Sequence, residues 1–240
     1  MKNLFESVYQ FTTEDISSYL PLLNLKDKEV LTVGSSGDQA FASLLLGAGK
    51  VTLFDISPNT YEFVKLKKDI ILKYPRKKAY KEILNINNIP INKDLFSYRD
   101  LVKMNPCFSN DDNYELTREK LKENEIEFIE GDIFKMDDTL KDRKFDRIIF
   151  SNILQYIDYY VKRDKFNTKE EYLKTKIKEW ISHLNKDGII QLMYLYSIRG
   201  QIKELKEFLY TLKDYNVYSD SFTSDTQTLE SAILSYRKKW

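Results

Sequence analysis

The stretch from Val30 to Asp55 constrains the fold more than any other part of this 240-residue chain. An apolar run ends at Gly34, a polar turn leads to Gly37, and a helical pattern begins at once. A second apolar run, residues 51–54, then ends in the carboxylate of Asp55. A strand, a tight turn, a helix and a second strand form the unit with which α/β proteins bind nucleotides. A carboxylate at the end of the second strand can accept hydrogen bonds from ribose hydroxyls.

The rest of the chain repeats this alternation of strand and helix. Ser57 and Pro58 provide the N-cap and the first-turn proline of a helix directly after Asp55. Short connections in such a series imply a parallel sheet. Further strands are predicted from continuous apolar runs, at residues 29–33, 126–129, 145–150 and 189–194. Further helices are predicted from apolar residues at spacings of three and four, over residues 39–46, 172–184 and 202–212.

The end of the chain departs from the parallel pattern. Two apolar runs, residues 217–222 and 232–236, are separated by a turn too short for a helical crossover, so these strands must be antiparallel. We therefore predict a single domain over residues 1–240. Its fold class is α/β, with a Rossmann-like, doubly wound, mostly parallel seven-stranded sheet whose last strand pair is antiparallel.

Two other segments lie outside the alternation. Residues 1–28 form an N-terminal helical segment, in which Thr12 and Asp15 resemble a capping box. Residues 76–124 contain short apolar patches but no strand-length run, which predicts a helical insertion between the second and third strands. Insertions at the carboxyl edge of a sheet often determine substrate specificity. The open alternative is that residues 76–124 only cover the sheet.

Composition excludes several classes of protein. Charged residues make up 31% of the chain but leave a net charge of only +1, which argues against a dedicated nucleic-acid binder. The single cysteine, Cys107, and the single histidine, His183, give no support for a disulfide framework or a metal site. We expect His183 at the surface or at a helix C-terminus, and not as a general base. Without a signal core or a membrane span, the chain is expected to be cytoplasmic.

The turn itself indicates which nucleotide to expect. A dinucleotide-binding enzyme would carry Gly-x-Gly-x-x-Gly, whereas the six positions from Gly34 to Gln39 read Gly-Ser-Ser-Gly-Asp-Gln. Two of the three glycines are missing, and no Gly-Lys-Ser/Thr of a Walker loop follows. The pattern therefore favours neither a dinucleotide nor a nucleoside triphosphate.

Four features together resemble the class I S-adenosylmethionine-dependent methyltransferases: the turn at 34–37, Asp55, Gly131-Asp132 and residues 145–152. The resemblance implies S-adenosyl-L-methionine as the cofactor. It also implies that the turn lies beside the methionine half, that Asp55 holds the ribose, and that Asp132 contacts the adenine amino group. The cofactor contacts predicted on this basis are Gly34, Ser35, Gly37, Asp38, Asp55, Ile56, Asp132, Ile133 and Ser151.

The turn departs from that family at two positions. The usual Gly-x-Gly-x-Gly would place glycines at Gly34, Ser36 and Asp38, and only the first is present. Asp38 is therefore a candidate contact for the amino group of the cofactor. The residues after the fourth strand would face the reacting centre in this family, so the catalytic candidates are Ser151, Asn152 and Tyr156.

A narrower likeness concerns the 3-amino-3-carboxypropyl transferases of betaine-lipid synthesis and their relatives. It is carried by residues 34–40, 44–47 and 55–58, by Leu66-Lys67, and by the N-terminal segment 9–15. Those enzymes share the fold and the cofactor but transfer a different carbon group. This chain has no tryptophan before Glu14-Asp15, so the lipid substrate is not carried over.

Structural alternatives exist for every one of these residues. Gly34 and Gly37 could simply permit a tight turn, and Asp55 could be a helix-entry carboxylate. Asp132 could belong to an ordinary turn, and Glu14 could serve helix entry. The tyrosines near position 156 could be packing residues and not the mouth of a substrate site.

The sequence thus predicts an S-adenosylmethionine-dependent transferase, with a methyltransferase acting on a small molecule as the first hypothesis. A 3-amino-3-carboxypropyl transferase with the same cofactor is the first alternative. A non-catalytic module that binds an adenosyl ligand or a partner is the second. No nucleic-acid partner is expected, and the oligomeric state is open.

Overall fold

The computed structural model describes residues 7–92 and 97–192, together with the backbone of two strands at 215–224 and 227–238. The helix predicted at 202–212 and the last two residues of the strand predicted at 189–194 lie outside the described residues. The described chain divides into two compact units, residues 1–133 and 134–240. The prediction of a single domain over residues 1–240 stays a prediction.

The first unit contains the strand–turn–helix–strand series. Three of its strands are parallel neighbours, with β3 between β2 and β5. Its strands are β1 (Val8–Tyr9), β2 (Glu29–Val33), β3 (Lys50–Asp55), β4 (Ile91–Asn92) and β5 (Ile126–Glu130). Its helices are α1 (Ile16–Tyr19), α2 (Asp38–Leu45), α3 (Pro58–Lys73), α4 (Arg76–Leu84), α5 (Tyr98–Met104) and α6 (Asp111–Glu123).

The second unit begins with α7 (Met136–Leu140) and contains a parallel pair and an antiparallel pair of strands. The parallel strands are β6 (Phe145–Ile149) and β7 (Leu184–Leu192). Between them lie α8 (Ile157–Arg163) and α9 (Lys169–Ser182). The last strands, β8 (Tyr215–Ser224) and β9 (Gln227–Lys238), are antiparallel to each other, and β9 is also antiparallel to β7.

These observations confirm an α/β, Rossmann-like fold with mostly parallel strands: three strands of the first unit and two of the second are parallel to their neighbours. The antiparallel arrangement of the last two strands is also confirmed. Within the described residues, no helix is long and apolar enough to cross a membrane.

Helix α3 begins as the sequence predicts, because Ser57 accepts a hydrogen bond from the N–H of Asn59 and Pro58 occupies the first turn. Its buried face includes a charged residue. Leu66 is 37% exposed, whereas Lys67 is completely buried. The charged residue therefore occupies a core position, and the leucine faces outwards.

The entry to α1 also corrects a prediction. Asp15 is the N-cap, because its carboxylate accepts from the N–H of Ser18. The Thr12 hydroxyl instead accepts from the N–H of Glu14, before the helix begins. Thr12 and Asp15 therefore do not form a capping box.

Residues 76–124 contain helices, as predicted: α4 packs against α3, α6 packs against α2 and α3, and α5 packs against α1. Their inward side chains belong to the core of the first unit: Leu101, Met104, Phe108, Tyr114 and Leu121 are at most 4% exposed. This segment therefore covers neighbouring helices. A role in substrate selection stays a prediction.

Candidate functional site

The carboxyl ends of β2, β3 and β5 bring the predicted residues of the first unit to one edge of the sheet. The N–H of Gly34 donates to the carbonyl of Phe54 at 3.1 Å, and the N–H of Gly131 donates to the carbonyl of Asp55 at 2.9 Å. Asp132 is the next residue along the chain. The turn, the strand-end carboxylate and the Gly131-Asp132 pair are therefore neighbours, as expected where parallel strands end together.

Asp55 accepts hydrogen bonds from two backbone segments, the turn after β2 and the residue before α3. One carboxylate oxygen accepts from the N–H of Ser35, and the other accepts from the N–H of Ser57, each at 2.7 Å. Burial raises the pKa of Asp55, and the hydrogen bonds from these two amides oppose that rise. The residue is half-buried, so part of its surface faces solvent.

Ser35 adopts an uncommon backbone conformation, with φ of +42°. Non-glycine residues rarely occupy this region, and such strain is concentrated at functional sites. The hydrogen bond from its N–H to Asp55 stabilises the conformation. The strained turn and the strand-end carboxylate therefore form one structural unit.

Both glycines of the turn are explained by the packing of the protein itself. A Cβ atom on Gly34 would lie 2.4 Å from Cγ2 of Thr60 and 2.8 Å from Oδ2 of Asp55. Gly37 has φ of +77°, and a Cβ atom there would lie 2.9 Å from Cγ2 of Val64. The structural alternative considered for these two glycines is thus sufficient, and neither requires a ligand.

Asp38 does not face outwards from the turn. Its side chain is completely buried and forms an ion pair of 2.8 Å with Lys67. Its other oxygen accepts from the N–H of Thr12 at 2.7 Å and from the hydroxyl of Ser36 at 2.9 Å. Both oxygens are engaged and neither is accessible, so the prediction that Asp38 contacts the amino group of a cofactor is corrected: this carboxylate is a buried ion-pair partner.

The remaining predicted cofactor contacts of the first unit follow the strand ends. Ile56 lies between Asp55 and Ser57 and is half-buried. Asp132 is also half-buried, and Ile133 is 8% exposed. Contact of these residues with a cofactor stays a prediction.

The N-terminal segment contributes a buried carboxylate near the turn. Glu14 is 2% exposed and accepts from the hydroxyl of Tyr19 at 3.0 Å and from Nε2 of Gln39 at 3.4 Å. Burial and the adjacent charge of Glu14 raise the pKa of Tyr19 well above its ordinary value. Glu14 is thus a partner of α1 and α2 and does not itself begin a helix.

In the second unit, Ser151 follows β6 and has φ of +57°. Its N–H donates to Oε1 of Gln191 on the neighbouring strand β7, at 3.1 Å. This repeats the arrangement of Ser35 and Asp55: a strained residue after one strand is held by a side chain at the carboxyl end of the next. Gln191 is completely buried, and its Nε2 has no hydrogen-bond partner within the described part of the chain.

The other catalytic candidates of the second unit have different surroundings. Asn152 and Tyr156 are half-buried. Tyr160 is 2% exposed, and its ring lies 4.0 Å from the ring of Phe134, so it is a packing residue. Tyr159 is 46% exposed. Catalytic roles for Ser151, Asn152 and Tyr156 stay predictions.

His183 lies at the C-terminus of α9, which is one of the two expected positions, and not at the surface. It is 1% exposed and follows α9, with its carbonyl accepting from the N–H of Phe145 at 2.8 Å. Its Nε2 lies 2.7 Å from Oδ1 of Asp137, and its Nδ1 lies 2.9 Å from the carbonyl of Arg143. It therefore links α7, α9 and β6 as a structural residue.

Cys107 is completely enclosed by the helices of the first unit, and burial raises its pKa to about 12. A thiol in this environment is inert. Within the described residues, no group of three or more His, Cys, Asp or Glu side chains is arranged to hold a metal ion.

Three residues that support these turns have roles that were not predicted from the sequence: Thr60, Lys67 and Gln191. A lysine four positions after Phe63 lies on the apolar stripe of a helix, which is a signal for Lys67. A glutamine inside the apolar run of β7 is a similar signal for Gln191. Thr60 carries no comparable signal, because threonine is common in the first turn of a helix.

No protein-family model and no curated protein matches this chain. Several solved structures resemble it. Magnesium protoporphyrin IX methyltransferase from Synechocystis PCC 6803 with bound SAM is 15% identical, covers 93% of this chain and 78% of its own length, and has a TM-score of 0.49. N-methyltransferase NodS from Bradyrhizobium japonicum WM9 with S-adenosyl-l-homocysteine is 12% identical. The match covers 91% of this chain and 84% of NodS, with a TM-score of 0.49.

An rRNA methylase from Streptococcus thermophilus is 13% identical over 95% of this chain and 98% of its own, with a TM-score of 0.45. Identities and TM-scores in this range do not by themselves place the chain in a family. All three of these proteins are named as methyltransferases or methylases.

Proposed function

We propose that this chain is an S-adenosyl-L-methionine-dependent methyltransferase that acts on a small molecule. One observation carries the proposal: the half-buried carboxylate of Asp55 lies between the strained turn at Ser35 and the Gly131-Asp132 pair. Ligands of open α/β sheets bind outside the carboxyl ends of the strands, where these residues lie.

The residues at this edge fit an adenosyl group. A carboxylate has about four lone-pair sites, and the amides of Ser35 and Ser57 each use one site on a different oxygen. Hydrogen bonding by Thr60 and by the N–H of Gly34 also opposes the rise in the pKa of Asp55. We propose that Asp55 accepts hydrogen bonds from ribose hydroxyls in addition, and that Asp132, directly after Gly131, accepts from an adenine amino group.

The bound cofactor supplies an already activated sulfonium, so the protein needs little acid–base chemistry. The protein residues bind the cofactor, orient the acceptor in line with the leaving sulfur, and exclude water. Ser151 and Asn152 after β6 are the residues proposed to face the acceptor. The structural surroundings of Cys107 and His183 agree with a reaction that uses neither a thiol nor an imidazole.

The small-molecule acceptor is proposed from charge. Enzymes that hold nucleic acid neutralise several phosphates with a basic surface. This chain has 38 lysines and arginines against 37 aspartates and glutamates. Such a balance supports an acceptor that is bound through a few specific groups.

Mass spectrometry of the adenosine by-product tests the proposed reaction. The protein is incubated with S-adenosylmethionine and a metabolite extract from which macromolecules have been removed, and the nucleosides are analysed. We expect S-adenosylhomocysteine to accumulate above a heat-inactivated control. Methylthioadenosine would instead indicate transfer of the aminocarboxypropyl group, and binding without either product would indicate a non-catalytic module.

A further inference from the structure

The buried pair of Asp38 and Lys67 joins two segments that are far apart in sequence. Both side chains are completely inaccessible, and Oδ1 of Asp38 lies 2.8 Å from Nζ of Lys67. The same ammonium donates to the carbonyl of Ser36 in the turn, at 3.0 Å, and to the carbonyl of Gln10 in the N-terminal segment, at 2.7 Å. An ammonium group has three N–H donors, so each of its donors is matched by one acceptor.

The carboxylate makes the complementary connection. Oδ2 of Asp38 accepts from the N–H of Thr12 in the N-terminal segment and from the hydroxyl of Ser36 in the turn. The ring of Phe11 lies beneath the ammonium of Lys67, with 4.3 Å between Nζ and the ring centroid. Each member of the pair therefore binds both segments.

The N-terminal segment has few other polar anchors of this strength. Nε2 of Gln10 donates to the carbonyl of Leu84 at 2.9 Å, and the N–H of Val8 donates to the carbonyl of Pro90 at 3.0 Å. Both of these contacts lead to the helical insertion and not to the turn. The pair of Asp38 and Lys67 thus links residues 10–12 directly to the turn, beside a longer hydrogen bond of 3.4 Å from Nε2 of Gln39 to Oγ1 of Thr12.

Stability alone does not explain a pair at this position. Removing two charges from water costs several kcal/mol per ion, and buried ion pairs can often be replaced by apolar residues without loss of stability. An apolar pair would fill the same volume but could not bind the amide and carbonyl groups of two separate segments. The charged pair therefore provides hydrogen bonds to backbone groups of both segments, which an apolar pair could not provide.

We propose that Asp38 and Lys67 are positioning residues, which hold the turn at 34–37 and residues 10–12 as one rigid wall of the adenosyl site. This inference rests on the proposed function. It replaces the direct cofactor contact predicted for Asp38 with an indirect role: the carboxylate acts through the backbone that it holds. Affinity for an adenosyl ligand should then depend on the pair more strongly than folding does.

The double variant Asp38→Asn with Lys67→Met tests this role, because it removes both charges at nearly constant volume. We expect the Kd for S-adenosylhomocysteine, measured by calorimetry, to rise roughly tenfold or more as the wall loosens. The unfolding midpoint without ligand should fall by several degrees, because the carbonyls of Gln10 and Ser36 lose their donor, but unfolding should stay cooperative. Backbone amides of residues 10–12 should exchange with solvent about tenfold faster.

A matched control removes an exposed ion pair of the same unit. Nζ of Lys120 lies 3.3 Å from Oε2 of Glu123, and the Glu123 side chain is 63% exposed. The double variant Lys120→Met with Glu123→Gln should change neither the Kd nor the exchange of residues 10–12. An unchanged Kd in the Asp38/Lys67 double variant would overturn the positioning role.

The wild-type protein provides a second readout that requires no variant to fold. If the turn and the N-terminal segment form one wall, then S-adenosylhomocysteine should slow amide exchange at residues 10–12 as well as at the turn. Slower exchange at the turn alone would overturn the inference while leaving the proposed function intact. Absence of any binding by wild type would overturn the proposed function and the inference that rests on it.

Discussion

Gly34 shows how closely single atoms are packed at the edge of the sheet. The substitution Gly34→Ala would place a methyl group 2.4 Å from Cγ2 of Thr60 and 2.8 Å from Cβ and Oδ2 of Asp55. Because β3 and α3 hold these neighbours, relief of the clash requires movement of the strained turn. We expect a loss of about 1–3 kcal/mol in the free energy of unfolding, measured by urea denaturation, and weaker binding of S-adenosylhomocysteine.

Gly49 provides the matched control for this substitution. A Cβ atom there would meet the backbone of Asp27 at 3.4–3.5 Å, which is ordinary van der Waals contact. Gly49→Ala should therefore stay within about 1 kcal/mol of wild type. Equal stability of the two variants would show that the turn can move freely and would contradict the described packing.

Asp38 illustrates what residue type alone does not reveal. A carboxylate in a turn beside a nucleotide site is compatible with a ligand contact and with a buried ion pair. Which of the two occurs depends on Lys67, which lies 29 positions later in sequence. The contact between them exists only because α3 packs against the turn, and no local pattern encodes that packing.

At the scale of elements, side chains of α6 cap the C-terminus of α3. Carbonyl groups in the last turn of a helix lack partners within the helix. The hydroxyl of Tyr114 donates to the carbonyls of Ile71 and Tyr74, at 3.1 and 2.8 Å, and Nη2 of Arg118 donates to the carbonyl of Leu72 at 2.7 Å. The insertion therefore stabilises the helix that carries Lys67.

The substitution Tyr114→Phe tests this relation. It removes the hydroxyl but keeps the buried ring, so the carbonyls of Ile71 and Tyr74 lose a donor. We expect the free energy of unfolding to fall by about 1–3 kcal/mol, measured by chemical denaturation. Tyr61, on the exposed side of α3, is 43% accessible, and Tyr61→Phe should change stability by no more than about 0.5 kcal/mol. Equal effects of the two substitutions would refute the capping role of α6.

The elements that the sequence predicts well are those with continuous or periodic apolar patterns. Strands β2, β3 and β6 and the start of α3 lie where the apolar runs and the Ser57-Pro58 signal indicate. The helices α7 and α8, of 5 and 7 residues, are too short to show a clear helical period, and their existence depends on packing in the second unit. A glutamine within an apolar run signals a special role for Gln191, but its hydrogen bond with Ser151 depends on the register of β6 and β7, which no local pattern encodes.

At the scale of the whole molecule, the predicted α/β class and mostly parallel sheet are confirmed, whereas the acceptor is a proposal. The near-equal numbers of basic and acidic residues, 38 and 37, are a property of the entire chain and support a small acceptor. The central proposal does not depend on which acceptor is used. It is that an adenosyl cofactor binds at the carboxyl end of β3, with Asp55 bound to its ribose.

Calorimetric titration with S-adenosylhomocysteine at neutral pH tests that claim most directly. Asp55→Asn keeps the shape of the side chain but loses the charge that strengthens hydrogen bonds from ribose hydroxyls, and loses one of the two acceptor oxygens that hold the N–H groups of Ser35 and Ser57, so we expect the Kd to rise about tenfold or more. Glu130 is opposite Asp55 in register and is exposed, and Glu130→Gln should bind as wild type does. An absence of heat with the folded wild-type protein, or equal affinity of the Asp55→Asn variant, would contradict the account.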